Sequence, residues 1–262
     1  MPPLITNVYT ADPSAHAFNG RVYIYPSHDR ETDIQFNDNG DQYDMADYHV
    51  FSTSSLDPLE PVIDHGVVLK AEDIPWVSKQ LWAPDAATKN GKFYLYFPAR
   101  DKEGIFRIGV AVGNKPEGPF TPEPEPIKGA LALTPLGDDK FALAPRVAKL
   151  TDDMLQFQGE VQEAAWLYKK DGLYHFSYST GDTHYLAYAT GTSPVGPFTY
   201  AGRILEPVLG WTTHHSIVEF NGKWWLFYHD CELSKGVDHL RSVKVKEIKF
   251  DAEGKIITMK SD

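Results

Sequence analysis

Four times in 262 residues an Asn-Gly or Asp-Gly pair opens onto a run of aromatic and β-branched residues, and this repetition narrows the possible folds more than any other feature of the chain. The copies are Phe18-Asn19-Gly20-Arg21-Val22-Tyr23-Ile24-Tyr25, Asn90-Gly91-Lys92-Phe93-Tyr94-Leu95-Tyr96, Asp171-Gly172-Leu173-Tyr174-His175-Phe176 and Asn221-Gly222-Lys223-Trp224-Trp225-Leu226-Phe227-Tyr228. Such pairs supply the positive φ angles of two-residue hairpin turns, and the runs after them suit a pleated, half-buried surface. Three hairpins lead to a second shared signature, Ser54-Ser55-Leu56-Asp57-Pro58-Leu59, Pro116-Glu117-Gly118-Pro119-Phe120 and Pro194-Val195-Gly196-Pro197-Phe198. Short strands such as His49-Val50-Phe51-Ser52 and Leu186-Ala187-Tyr188-Ala189 precede it.

A repeated unit of strand, hairpin, strand, strand and proline turn is the pattern of a propeller blade. A β-sandwich could hold similar hairpins, but it needs no repeated turn chemistry of this kind. The expected fold is all-β, a five-bladed β-propeller forming one domain over residues 1–262. The third blade is expected to be short: between Phe120 and Glu160 there are only Ile127 to Leu133, a turn at Gly137-Asp138-Asp139-Lys140 and a strand near Val147-Ala148-Lys149-Leu150.

Composition narrows the partner. A net charge of −11 disfavours nucleic acid, whose phosphates call for clustered Lys and Arg, and suits a neutral ligand or a cation. Cys231 is the one cysteine, so no internal disulfide forms. The start Met1-Pro2-Pro3-Leu4-Ile5-Thr6 lacks the basic and apolar segments of a signal peptide, and no apolar run is long enough to span a bilayer. A soluble, cytoplasmic protein is expected, with an oligosaccharide as partner on the grounds that follow.

In a propeller the innermost strand of each blade lines the central channel, so equivalent repeat positions converge. Eight residues before Gly20 lies Asp12, eight before Gly91 lies Ala83 beside Trp82, nine before Gly172 lies Glu163, and eight before Gly222 lies His214. A position used only for packing would hold similar apolar residues in every copy. Here it holds two acids, an aromatic neighbour and a histidine. Two carboxylates across a sugar-sized gap are what glycoside hydrolysis requires, one protonated to assist the leaving oxygen and one ionised. Asp12 before Pro13-Ser14 could instead open a turn, and Glu163 could be a solvated side chain. A cation held by the His214 imidazole and water would suit the negative chain, with His215 the lesser candidate.

Ala11-Asp12-Pro13-Ser14, Leu81-Trp82-Ala83-Pro84-Asp85, Glu163-Ala164-Ala165-Trp166 and Thr213-His214-His215-Ser216, supported by Ser179 to Tyr185 and Asp238 to Val243, resemble the β-xylosidase and α-L-arabinofuranosidase branch of glycoside hydrolase family 43. The resemblance implies an inverting, exo-acting enzyme that removes terminal β-D-xylosyl or α-L-arabinofuranosyl units, with Asp12 as general base and Glu163 as general acid. It also implies that Trp82 stacks on a sugar ring, that Arg241 binds hydroxyls, and that His214 holds a calcium ion. Ordinary core for Trp82 and a surface ion pair for Arg241 are the competing readings.

Two departures accompany the resemblance. The family carries a third acid on the inner strand of blade three, but the matching register, counted back from Gly137, falls on Gly129 and Ala130. Asp85 sits in blade two after Pro84 and does not take that role. Glu163 is followed by Ala164-Ala165 where the family more often has Gly-Pro or Ala-Pro. A catalytically impaired sugar-binding propeller is therefore the alternative. The segment from Asp29 to Tyr48, rich in Asp, Asn and Gln, is expected near the substrate entrance.

Overall fold

The computed structural model describes residues 2–37, 40–128, 155–156, 163–181 and 184–261. Two compact units make up the chain, Met1–Ala17 with Leu150–Asp262, and Phe18–Lys149. The first sheet contains β1 (Tyr9–Phe18), β2 (Arg21–Asp29), β3 (Asp47–Thr53) and β4 (Ile63–Lys70), in that order. The second contains β5 (Val77–Lys79), β6 (Asp85–Lys89), β7 (Lys92–Asp101), β8 (Phe106–Gly113) and β9 (Thr121–Pro122), ordered β5-β7-β8-β9 with β6 also on β7. The third contains β10 (Leu155–Gln156), β11 (Glu163–Lys170), β12 (Leu173–Thr180), β13 (Tyr185–Gly191) and β14 (Phe198–Leu205), ordered β10-β14-β13-β12-β11. The fourth contains β15 (His215–Phe220), β16 (Lys223–Asp230) and β17 (Ser242–Ile248). The one helical element among the described residues is a 3-10 turn at Ala71–Asp73.

The all-β expectation agrees with these elements, but the expected count of five blades does not. The described residues form four blade-like sheets. Most of the stretch read as a shortened third blade, including Gly129 and Ala130, lies outside the described residues. That reading rested on scattered apolar residues; no Asn-Gly or Asp-Gly hairpin with an aromatic run marked it.

All four hairpin turns form as their chemistry dictates. Asn19, Asn90, Asp171 and Asn221 have φ of 51°, 52°, 49° and 52°, and the glycines after them have φ of 73° to 83°. A Cβ at any of these glycines would meet no atom within 4 Å, so backbone conformation alone selects glycine there. Each Pro signature carries an X-Pro bond in the cis form, at Asp57-Pro58, Gly118-Pro119 and Gly196-Pro197.

From the exposed turn the return strands β12 and β16 sink into the interior. The first residues of β16 are half-buried and Trp225 to Asp230 are all buried; β12 follows the same course to Thr180. Within Phe18–Lys149 the core packs Tyr25, Tyr48, Val50, Leu81, Leu95 and Phe97, and Tyr25 satisfies its hydroxyl by donating to Pro116 O at 2.7 Å. In the other unit Leu186, Tyr188, Ile204, Leu205, Leu226 and Tyr228 pack together. Each such side chain contributes about 1.5–3 kcal/mol by leaving water, enough to hold polar groups at the deep ends of the strands.

Candidate active site

The deep end of β1 bears Asp12, buried and at φ 49°, a left-handed conformation that Asp tolerates better than most residues. Its backbone N–H donates to Nδ1 of His229 at 3.0 Å. Because Nδ1 accepts, the His229 proton sits on Nε2, which faces Thr212 Oγ1 at 3.2 Å. Burial, reinforced by the Arg241 charge, holds the His229 pKa well below its ordinary value. His229 is neutral, so its 3.6 Å approach to Asp12 Oδ1 is not an ion pair.

Arg241 Nη1 and His214 Nδ1 each lie 3.3 Å from Asp12 Oδ1. Burial alone would raise the Asp12 carboxyl, but the Arg241 guanidinium and then His214 outweigh it and hold Asp12 well below the usual carboxylate range. Asp12 is therefore an anion at every working pH. A buried charge persists only when paired in this way. The structure thus brings together Asp12, His214 and Arg241 and adds His229, absent from the sequence reading. A signal was available: reflecting an inner-strand position through its hairpin turn pairs His214 with His229, whose N–H donates to His214 O at 3.3 Å.

Glu163 opens β11 and pairs with Ser179 of β12, and the register shifts between Glu163 and Trp166. The next residue, Ala164, has φ 63°, costly for an L residue with a Cβ. Left-handed backbone thus occurs at Asp12 itself and at the residue after Glu163. The Glu163 side chain lies outside the described residues.

Trp82 belongs to the Phe18–Lys149 unit. Its ring lies 4.4 Å from that of Phe106, its Nε1 donates to Tyr43 O at 3.4 Å, and its carbonyl accepts from the Tyr48 hydroxyl. A Cβ at Gly40 would sit 3.3 Å from the indole. The 29–48 segment therefore packs on Trp82, leaving the side chain half-buried.

For a cation, Asp12 occupies Nδ1 of His214 and leaves Nε2 as the ligand atom, the carboxylate–histidine arrangement common around metals. Calcium prefers oxygen, and among the described residues no group of three donor side chains surrounds His214. Among the described residues a calcium here would meet one imidazole nitrogen, and water would have to supply its oxygens. His215 is buried, donates or accepts through Nε2 at 2.7 Å from Ser177 Oγ, and is pushed down to about 3 by burial and by His214. It serves packing.

A buried, ionised carboxylate on one repeated antiparallel sheet and a second acid at the start of a strand in another are groups that a propeller-type glycoside hydrolase would use. The family model described as glycosyl hydrolases family 43 matches residues 3–130 and 122–256, and the chain belongs to that family. It is 64% identical to a xylosidase/arabinosidase 43A of Humicola insolens, over 100% of both chains, and 46% identical to a xylosidase/arabinosidase of Bacteroides ovatus, over 98% of this chain and 96% of that one. A solved family 43 β-xylosidase/α-arabinofuranosidase from a compost microbial metagenome, in complex with xylotriose and in a calcium-free form, superposes with a TM-score of 0.87 at 47% identity, covering 99% of this chain and 97% of that one.

The Humicola alignment spans 327 positions against 262 residues here, so a stretch of that relative about the size of a blade finds no counterpart. The two matched stretches of the family model overlap at 122–130, between the second and third hairpin repeats.

Proposed function

We propose that this chain is an inverting exo-glycosidase that removes terminal β-D-xylosyl and α-L-arabinofuranosyl units from xylo-oligosaccharides or arabinoxylan side chains. The observation that carries the reading is the permanently ionised, triply contacted Asp12 in a chain whose relatives are xylosidase/arabinosidases. Asp12 accepts a proton from the water that attacks the anomeric carbon. That water becomes strongly acidic only as it bonds to carbon, so a carboxylate of low basicity suffices. Glu163 donates its proton to the departing glycosidic oxygen as the C–O bond breaks. Inversion asks for carboxyl groups roughly 6.5–9.5 Å apart, leaving room for the water. Trp82 offers an indole face to the sugar, and Arg241 acts on the reaction through Asp12. Calcium, when bound at His214, supplies positive charge beside the reacting sugar.

The test is nitrophenol release from the β-D-xylopyranoside and the α-L-arabinofuranoside, comparing parent, Asp12→Asn and Glu163→Gln, with calcium and with chelator. Cleavage by the parent, with Asp12→Asn reduced at least about a hundredfold on both compounds and Glu163→Gln reduced as much on xylobiose, whose leaving oxygen needs a proton, supports the roles. Folded parent that cleaves neither compound supports the sugar-binding alternative, which follows from the missing third acid. Chelator without effect on rate or melting temperature removes calcium from the account.

A further inference from the structure

The Phe18–Lys149 unit contains a second cluster of metal-donor side chains, unrelated to Asp12. His28 near the end of β2, and Asp47 and His49 on β3, present ligand atoms that all lie within 4.8 Å of one another. The strand pairing brings them together. Asp47 and His49 are two apart on β3, so they share a face. The β2–β3 register Val22↔Thr53, Tyr23↔Ser52, Ile24↔Phe51, carried along the pair, sets His28 opposite Asp47, and His28 Nδ1 indeed lies 2.7 Å from Asp47 Oδ1.

We propose that His28 Nδ1, Asp47 Oδ1 and His49 Nε2 form a binding site for a first-row divalent metal, zinc foremost, that staples β2 to β3. His49 is already oriented for it. Its Nδ1 lies 3.0 Å from Asp64 Oδ1 on β4, and Asp64 is anchored in turn by the Gly66 N–H at 2.7 Å. With its proton on Nδ1, held by that carboxylate, His49 turns the Nε2 lone pair toward Asp47 Oδ1, 3.7 Å away. A carboxylate behind a ligating imidazole is the usual outer support of a zinc histidine.

The imidazole rings stand edge to face with centroids 5.1 Å apart, so both nitrogens approach the carboxylate from different directions. Two imidazoles and one carboxylate suit zinc and its neighbours and not calcium or magnesium, which take oxygen. The side chains of His28, Asp47 and His49 are 18%, 19% and 13% exposed, so a fourth position opens to water. Metal entry takes the Nδ1 lone pair of a neutral His28, which then carries its one proton on Nε2 instead of between Nδ1 and Asp47 Oδ1.

The experiment titrates chelator-stripped protein with Zn2+ by calorimetry and with Co2+ by visible absorption. The expected result is one equivalent of zinc bound with Kd below about 1 μM, and a cobalt spectrum of tetrahedral intensity. Both should be lost in His28→Gln and His49→Gln and kept in His214→Ala. No stoichiometric uptake overturns the proposal, as does uptake that vanishes in His214→Ala but survives in the other two. Should the His28 and His49 variants misfold, zinc K-edge absorption of the loaded parent decides. Two imidazoles in the first shell uphold the site; fewer overturn it.

Discussion

Asp12 has three neighbours with different jobs, and substitution separates them. His229 fixes the backbone, His214 shares the carboxylate and offers a ligand nitrogen, and Arg241 supplies the charge that keeps the carboxyl ionised. The resemblance read Arg241 as a sugar-hydroxyl binder; the geometry gives it a buried carboxylate. Arg241→Ala should lower kcat more than it raises KM. An opposite charge this close lowers a carboxyl pKa by about 1–3 units, so losing it should raise the Asp12 carboxyl toward its ordinary value and bring into view an acid limb of kcat/KM that the parent lacks. A pure rise in KM with an unchanged pH profile would mean that Arg241 meets the sugar directly. Asp12 and His214 were legible because they share a repeat register. His229 was not, because the counting ran to inner strands alone and never crossed the turn. His28, Asp47 and His49 escaped because their union depends on strand pairing across the 30–46 segment, which no local pattern encodes.

At the scale of strands, β16 and β17 owe their deep ends to a buried lysine. Lys244 is fully buried, with its ammonium 2.9 Å from Asp230 Oδ2 and also paired with Glu232. Burial alone would lower its pKa, but the two carboxylates raise it above the ordinary value. A raised lysine stabilises the fold fully below its unfolded pKa of about 10.4, and the contribution fades as pH climbs through the higher folded value. Lys244→Met should cost about 3–5 kcal/mol at pH 7 by leaving Asp230 buried and unpaired, a gap read by urea unfolding that narrows above pH 11 or so. An unchanged midpoint would mean that Asp230 finds another partner. Hairpins were the most legible elements because a two-residue turn needs particular residues at particular positions, and Asn19-Gly20 through Asn221-Gly222 all display them. Blade number was less so. Between Phe120 and Glu160 the count relied on apolar composition, which specifies burial and not pairing.

Across the whole molecule, the net charge of −11 meets a substrate that carries none. Long-range steering of an uncharged sugar has nothing to act on, so kcat/KM for xylobiose should change less than about twofold from 20 to 500 mM salt, whereas an oligosaccharide bearing glucuronic acid should gain as salt screens the repulsion. A steep salt dependence with xylobiose would place a required ion in the site. The blade-sized shortfall in length against the Humicola relative also bears on rate, since the third acid of the family has no counterpart in the repeat register. Losing one electrostatic partner commonly costs on the order of 3 kcal/mol in a barrier, so turnover well below that of family members that carry the third acid is the expected level. The hairpin turns have a slower consequence. Asn19, Asn90 and Asn221 each precede a glycine with open space where a side chain would be, which leaves the backbone nitrogen free to attack the amide. The chemistry that makes these turns also makes them clocks. In storage they deamidate, each event adds one negative charge to an already acidic chain, and the accumulating acidic forms record the age of a sample.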